Sequence, residues 1–399
     1  MLKVETLMKK KIIFVHLALW MGGIEIALVN MLNQMDYEKY DVTCLIVTAY
    51  DDNLIYRITP KCKLYRIDRA QTITFKEKYR FYWMYKFSEK PSVTTSKLKM
   101  FRWRMLAGVR YLENILYIKY VKKLMRGQSY DTAIIFSGKV AELTVKSIRA
   151  KKYVSFYHYG DMRHEYHDRT GYSRSSAIVA VSNNLAESLK KFMPEYKDKI
   201  VAVHNLVDVT YIREKSKEEI KENFEKLYFN IVTCGRLAEE KGMDLAVYAC
   251  YELVKSGNTQ IRWWIIGEGP EHENLLKLIH EKQLEEYIKV LGQRENPYSY
   301  MAQGDIYVQP SRREAFGLTI LEAMIVGCPV ISTYTAGGTE LIEHGINGRL
   351  CSISAEDIAN EVLLMLNNRT LLDSIKNVLV NMNFEKRNNE AMNKIEMLI

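Results

Sequence analysis

Between Gly304 and Leu350 the chain reads GDIYVQPSRREAFGLTILEAMIVGCPVISTYTAGGTELIEHGINGRL, and the order of element types in this stretch leaves few folds open. Asp305 to Gln309 is a short apolar run of strand type, and Ser311 to Ala315 is a polar loop. Phe316 to Val326 reads as a buried helix with Gly327 at its C-terminal cap, and Pro329 keeps that helix from continuing. Val330 to Ser332 resumes as a strand, Thr335 to Gly338 is a loop of small residues, and Thr339 to His344 is a second short helix ended by Gly345. Strand–loop–helix followed by strand–loop–helix is a βαβ arrangement. It predicts an α/β fold with a parallel sheet and ligands at the strand C-terminal ends.

Two carboxylates in this stretch are candidates for chemistry. Glu314 sits in the loop before the first helix. Glu322 lies on that helix among Ile320, Leu321, Ala323 and Met324. A carboxylate on an apolar helix face needs a partner, and a pair of sugar hydroxyls can donate to both oxygens of one carboxylate. The amides from Ala315 through Phe316, Gly317, Leu318 and Thr319 surround a helix N-terminus, a natural site for phosphate. Ala336-Gly337-Gly338 lets backbone approach a ligand closely. Taken singly, each Glu is better read as an ordinary surface or core-edge residue; the combination with the two loops favours a site.

A second cationic cluster precedes this stretch. Phe229 to Cys234 reads as a strand, and Gly235-Arg236-Leu237-Ala238-Glu239-Glu240-Lys241-Gly242 leads from it into a helix. Arg236 and Lys241 are either two solvated cations or a diphosphate site, Arg binding bidentately and Lys as a point charge. Near the N-terminus, Ile12 to Leu17 is a buried strand, Trp20-Met21-Gly22-Gly23 a loop, and Ile24 to Met35 a helix. The loop is not G-x-G-x-x-G, so a dinucleotide fingerprint is not supported. Val154 to Tyr157 is a strand ending in His158, which a parallel sheet places at its ligand edge.

These motifs carry a resemblance. Glu314 and Glu322 match the E-x7-E motif of the retaining family-4 glycosyltransferases, and PSRREAFGLTILEAMIVGCPVIST, GGTELIEHGINGRL, GRLAEEKG, MGGIE and AIVAVSNNLAESL are similar to that family's pattern. The resemblance implies the GT-B fold, two Rossmann-like domains facing across a cleft. It implies a sugar donor linked to a nucleoside diphosphate, with UDP the default, and a glycan or lipid-linked acceptor. It also implies Gly22 and Gly23 by the donor phosphates, His158 on the donor sugar, Arg236 and Lys241 on the diphosphate, and Glu314 on the transferred sugar. Glu322 then holds the ribose, and Gly292 to Arg294 the base through backbone contacts. No protein nucleophile is assigned. No cofactor and no metal are expected: the chain holds no D-x-D motif, and cations can neutralise the departing diphosphate instead.

The length of 399 residues fits two domains. The boundaries expected are 1–208, 209–381, and a C-terminal helix at 382–399 that packs back on the first domain, with Arg213 to Lys226 as the linker region. Six cysteines form no C-x-x-C pair and read as core residues of a cytoplasmic protein. No apolar run reaches the roughly 18 residues that span a membrane. The segment Phe75 to Arg126 stands apart, with 14 Lys or Arg against 3 Asp or Glu and 12 aromatic residues. Nucleic-acid binding, a helical hairpin with a solvated basic face, and a surface for anionic lipid headgroups all fit. The third is preferred, because the resembled family works near membranes on polysaccharide precursors; nucleic acid is not an expected partner. His164 and His167 match no standard metal-ligand spacing. The rivals in function are a non-hydrolysing nucleotide-sugar epimerase, a pyridoxal-phosphate phosphorylase and a non-catalytic membrane- or nucleic-acid-binding protein.

Overall fold

A computed structural model describes residues 8–48, 54–67, 118–160, 162, 169–222, 224 and 227–399. Most of the basic aromatic segment, together with His164 and His167, lies outside the described residues. By density of contacts the chain forms two compact units. One comprises residues 1–157, 163–179 and 398–399, and the other residues 158–162 and 180–397.

Among the described residues there are two sheets. The first has seven strands: β1 (Lys10–His16), β2 (Tyr40–Ile46), β3 (Lys63–Arg66), β4 (Tyr130–Ile135), β5 (Ala150–Tyr157), β6 (Ala177–Ala180) and β7 (Ile200–Ala202), in the order β3-β2-β1-β4-β5-β6-β7. β1 pairs in parallel with β2 and β4, Ile12 standing opposite Val42 on one side and Thr132 on the other. The second has six: β8 (Phe229–Cys234), β9 (Ile261–Ile266), β10 (Ile288–Gly292), β11 (Ile306–Gln309), β12 (Val330–Thr333) and β13 (Arg349–Cys351), in the order β10-β9-β8-β11-β12-β13. Its recorded pairs are all parallel. The α/β class read from the sequence is therefore observed in both sheets.

Strands buried on both faces read as unbroken apolar runs. Ile12 to Val15 in β1 and Ile306 to Val308 in β11 have no exposed surface. The polar tips of the buried indoles are satisfied: Trp263 Nε1 donates to Thr233 Oγ1 at 2.9 Å and Trp264 Nε1 to Asn230 Oδ1 at 2.9 Å. Helix starts follow their caps. Ser182 Oγ accepts from Leu185 N and caps the helix Asn183–Phe192. All six cysteines are free, five of them buried.

The strand order fixes where a ligand fits. In the second sheet the order reverses between β8 and β11, and the loops leaving the C-terminal ends of those two strands flank the crevice at the switch. These are the Gly235–Gly242 and Pro310–Gly317 loops. Among the described residues no helix is long and apolar enough to cross a membrane.

Candidate active site

The loop after β8 is tied down at both ends. Gly235 N donates to Ile266 O and Leu237 N to Glu268 O. A short helical turn, Glu239–Lys241, then closes on Gly242 before the helix Met243–Lys255. Gly242 has φ +64°, and a Cβ there would stand 2.1 Å from Pro310 O. That contact presses the β8 loop against the loop after β11. Arg312 N and Arg313 N both donate to Glu240 O, and Arg312 holds Asp244 through two bonds of 2.7 and 2.6 Å. Burial pushes the Asp244 carboxyl up, but Arg312 outweighs it and holds the group low.

The clamp brings two of the candidate residues together. Lys241 Nζ donates to Glu314 Oε2 at 2.6 Å, with the lysine 23% and the glutamate 12% exposed. Arg236 diverges from them: it pairs with Glu240 and remains 65% exposed. The two cations expected to act alike on a diphosphate thus sit in different surroundings.

After Glu314 the chain reaches Gly317 at φ +85°, the N-cap of the helix Leu318–Ile325. This helix is shorter than the expected span from Phe316 to Val326, because the turn at Gly317 separates Phe316 from it. A glycine cap supplies no side-chain acceptor, so the first amides of the helix have no partner within it. Thr319 Oγ1 donates to Gln309 Oε1 at 2.9 Å, which also accepts from Tyr307 OH at 2.6 Å. Glu322 is only 3% exposed and accepts from Tyr298 OH at 3.3 Å. Its charge is felt nearby: burial raises the Cys234 thiol to about 12, with Glu322 adding to the shift. Tyr298 was not singled out from the sequence; a tyrosine among apolar helix residues gives no sign that it faces a carboxylate.

The small-residue loop is not a loop. Thr335 Oγ1 accepts from Gly338 N, and the helix runs Ala336–Leu341, ahead of the expected Thr339 to His344. The glycines sit inside it because a Cβ on Gly337 would lie 2.5 Å from the Phe316 carbonyl carbon and one on Gly338 2.7 Å from Thr333 O. Gly337 N donates to Glu314 O at 2.9 Å. Gly337 therefore supports the loop carrying Glu314.

The other candidates fall as follows. Gly292 ends β10 at φ +69°, facing Glu268. The guanidinium of Arg294 is taken by Glu222 at 2.5 Å, and Tyr300 OH donates to the same carboxylate. The Arg294 side chain is thereby occupied within the protein. His158 follows β5 and is half-buried. Two residues on, a Cβ at Gly160 would lie 3.2 Å from Glu314 N and Ala315 N, so this segment runs against the Glu314 loop. Gly22 caps the helix Gly23–Gln34 in the first unit, and its backbone lies against the carboxylate of Glu25.

Comparison with known proteins agrees with this geometry. Residues 213–378 match the family model described as glycosyl transferases group 1. N-acetyl-alpha-D-glucosaminyl L-malate synthase of Bacillus anthracis is 27% identical over 51% of this chain and 53% of its own length, so the match spans about half of that relative. A Campylobacter jejuni enzyme is 24% identical over 88% of both chains. It is named N-acetylgalactosamine-N,N'-diacetylbacillosaminyl-diphospho-undecaprenol 4-alpha-N-acetylgalactosaminyltransferase. Among solved structures, Anabaena Alr3699/HepE in complex with UDP superposes with a TM-score of 0.67 at 17% identity, covering 97% of this chain and all of that one. The fold is that of the GT-B glycosyltransferases, and the match to the glycosyl transferases group 1 model lies over residues 213–378.

Proposed function

We propose that this protein is a retaining glycosyltransferase. It moves a sugar from a nucleoside diphosphate to a hydroxyl of a glycan or lipid-linked acceptor in surface-polysaccharide synthesis. The observation that carries this reading is the Lys241–Glu314 contact of 2.6 Å, beside the N-terminus of the helix Leu318–Ile325. A cation for a leaving diphosphate and a carboxylate for sugar hydroxyls are one hydrogen bond apart, so one sugar diphosphate can reach both. The bond broken is the anomeric C–O bond to phosphate, and the bond formed joins the same carbon to the acceptor oxygen. The departing phosphate takes the acceptor's proton. Charge accumulates on that phosphate in the transition state, where preorganised donors act most strongly. Glu322, buried against Tyr298, holds the ribose hydroxyls, and His158 meets the sugar.

UDP is the proposed nucleotide, since the Anabaena protein was solved with it. A lipid-linked acceptor is supported by the diphospho-undecaprenol in the Campylobacter enzyme's name and by the basic aromatic composition of residues 75–126, which suits peripheral contact with an anionic cytoplasmic leaflet. The chemistry proposed needs no metal, so activity should persist in EDTA; strict dependence on Mg²⁺ or Mn²⁺ would contradict it.

The direct experiment is thermal stabilisation by a panel of nucleotide sugars. A ligand at about 100 times its dissociation constant stabilises by about 2.7 kcal/mol, and UDP-sugars should lead. Product analysis with and without acceptor separates transfer from epimerisation. Stabilisation by no nucleotide sugar would sink the reading.

A further inference from the structure

Phe316 is the residue between Glu314-Ala315 and the glycine cap of the helix Leu318–Ile325, and its ring is buried at 1% exposure. Gly317 O accepts from Leu321 N at 3.0 Å, but the glycine has no side chain to cap the first amides of the helix. Its geometry is set from outside. Ala315 O accepts from Ser182 Oγ at 2.8 Å, and Glu314 O accepts from Gly337 N. The Phe316 ring is the third hold. The His204 ring stands 5.7 Å away, tilted by 36°, and the guanidinium carbon of Arg387 lies 5.3 Å from the ring centroid.

Arg387 belongs to the C-terminal helix Phe384–Leu398. The next residue, Asn388, locks that helix in place: it accepts from Val207 N at 3.1 Å and donates to Val207 O at 2.7 Å. The arginine itself is held in an unusual way. Its Nε and Nη2 are buried without a hydrogen-bond partner among the described residues, a costly arrangement for a cation. What remains to hold it is the face of an aromatic ring and the charges of Glu340 and Glu390, which oppose the effect of burial. Glu340 also takes His204 Nε2 at 2.7 Å and Asn183 Nδ2 at 2.6 Å. One carboxylate therefore answers to both groups that bracket the Phe316 ring.

We infer that Arg387 is a positioning residue for the donor site, acting through the Phe316 ring to fix the backbone amides at the start of the helix Leu318–Ile325. The inference rests on the proposed function, in which those amides meet the diphosphate. Arg387 touches no substrate; losing it loosens the phosphate cradle while leaving Lys241 and Glu314 in place.

The test is a double-mutant cycle read by calorimetric titration of the full chain with UDP and GDP. Arg387→Met should weaken nucleotide binding roughly tenfold in the wild-type background and less than about twofold in a Phe316→Leu background, since residues acting through one contact are not additive. Arg387→Lys keeps the charge without the planar face and should recover less than half of the loss. It replaces Arg387→Met in the cycle if the latter does not fold. An equal loss in both backgrounds, or an unchanged dissociation constant in Arg387→Met, overturns the positioning role. A wild-type protein that binds neither nucleotide overturns the functional reading beneath it instead.

Discussion

After β1 the chain turns through Gly22 into the helix Gly23–Gln34; after β8 it turns through Gly235–Gly242 into the helix Met243–Lys255. Both are strand–glycine loop–helix units at the C-terminal edge of a parallel sheet, and they are furnished oppositely. The first presents a carboxylate, Glu25, with Oε1 3.3 Å from Nε2 of the buried His16. The second presents cations, Arg236 and Lys241. Their glycines differ as well. Gly242 has φ +64° and a backbone oxygen 2.1 Å from where a Cβ would be, so the fold itself demands glycine. Gly22 has φ −145°, and its absent Cβ would meet only the end of the Glu25 side chain. The same supersecondary plan requires its glycine for packing in the second unit and not in the first.

The cationic loop gives the largest expected effect. Lys241→Ala should lower kcat by roughly 10²- to 10³-fold, the scale of removing one charge-stabilising donor. Arg236→Ala should cost less, about tenfold, because an exposed cation is screened by water. Steady-state kinetics with saturating donor check both. Equal losses would mean that the difference in burial between the two cations is irrelevant to the chemistry.

Next come the two carboxylates within the second unit. Glu314→Gln removes a charge beside the reacting sugar and should mainly lower kcat. Glu322→Gln acts on a part of the donor that does not react, so it should mainly raise the donor KM. Effects of about tenfold are expected in each case. The reverse pattern would exchange their roles.

A smaller effect concerns stability. Burial pushes the Glu340 carboxyl up, but hydrogen bonds from His204, Asn184 and Asn183 outweigh it and hold the group at about 2, against 4.5 when free. A depressed folded value favours the folded state above pH 4.5, and that contribution is lost as pH falls through about 2. The stability gap between wild type and Glu340→Gln should therefore be widest above pH 4.5 and narrow as the solution is acidified. Urea midpoints at pH 7, 4.5 and 3 measure it. A gap that stays constant would show that the carboxylate contributes nothing through its charge.

Much of this was legible from pattern. The run Phe229–Cys234 is a strand with the ends read from the sequence, because a mostly apolar run leading into a glycine loop has sharp limits. Glu314 and Lys241 were singled out separately, and the fold joins them. What was hidden were features set by packing across long separations. The helix Ala336–Leu341 contains two glycines that local propensity assigns to a loop; close approach to the Phe316 backbone explains Gly337, and to Thr333 O explains Gly338. Glu340, His204 and Arg387 lie far apart in sequence, and only the fold gathers them behind one ring. The engagement of Arg294 by Glu222 depends on the linker, whose charges carried no periodic signal.

The smallest effect returns to the first unit and tests the comparison most sharply. At Gly22 the backbone is extended, a conformation any residue adopts. The nearest atom to an added methyl is Glu25 Oε2 at 2.5 Å, the mobile tip of a side chain that can rotate away. Gly22→Ala should therefore change folding stability by no more than about 0.5 kcal/mol. If the loop serves a donor phosphate through its backbone, the methyl group stands in the approach, and the donor KM should rise by a few-fold with kcat nearly unchanged, a loss of uniform binding. Urea unfolding and donor kinetics on one purified variant give both readings. Unchanged stability with an unchanged donor KM would mean that the glycine serves neither fold nor donor, and that the first unit's loop does not meet the phosphates.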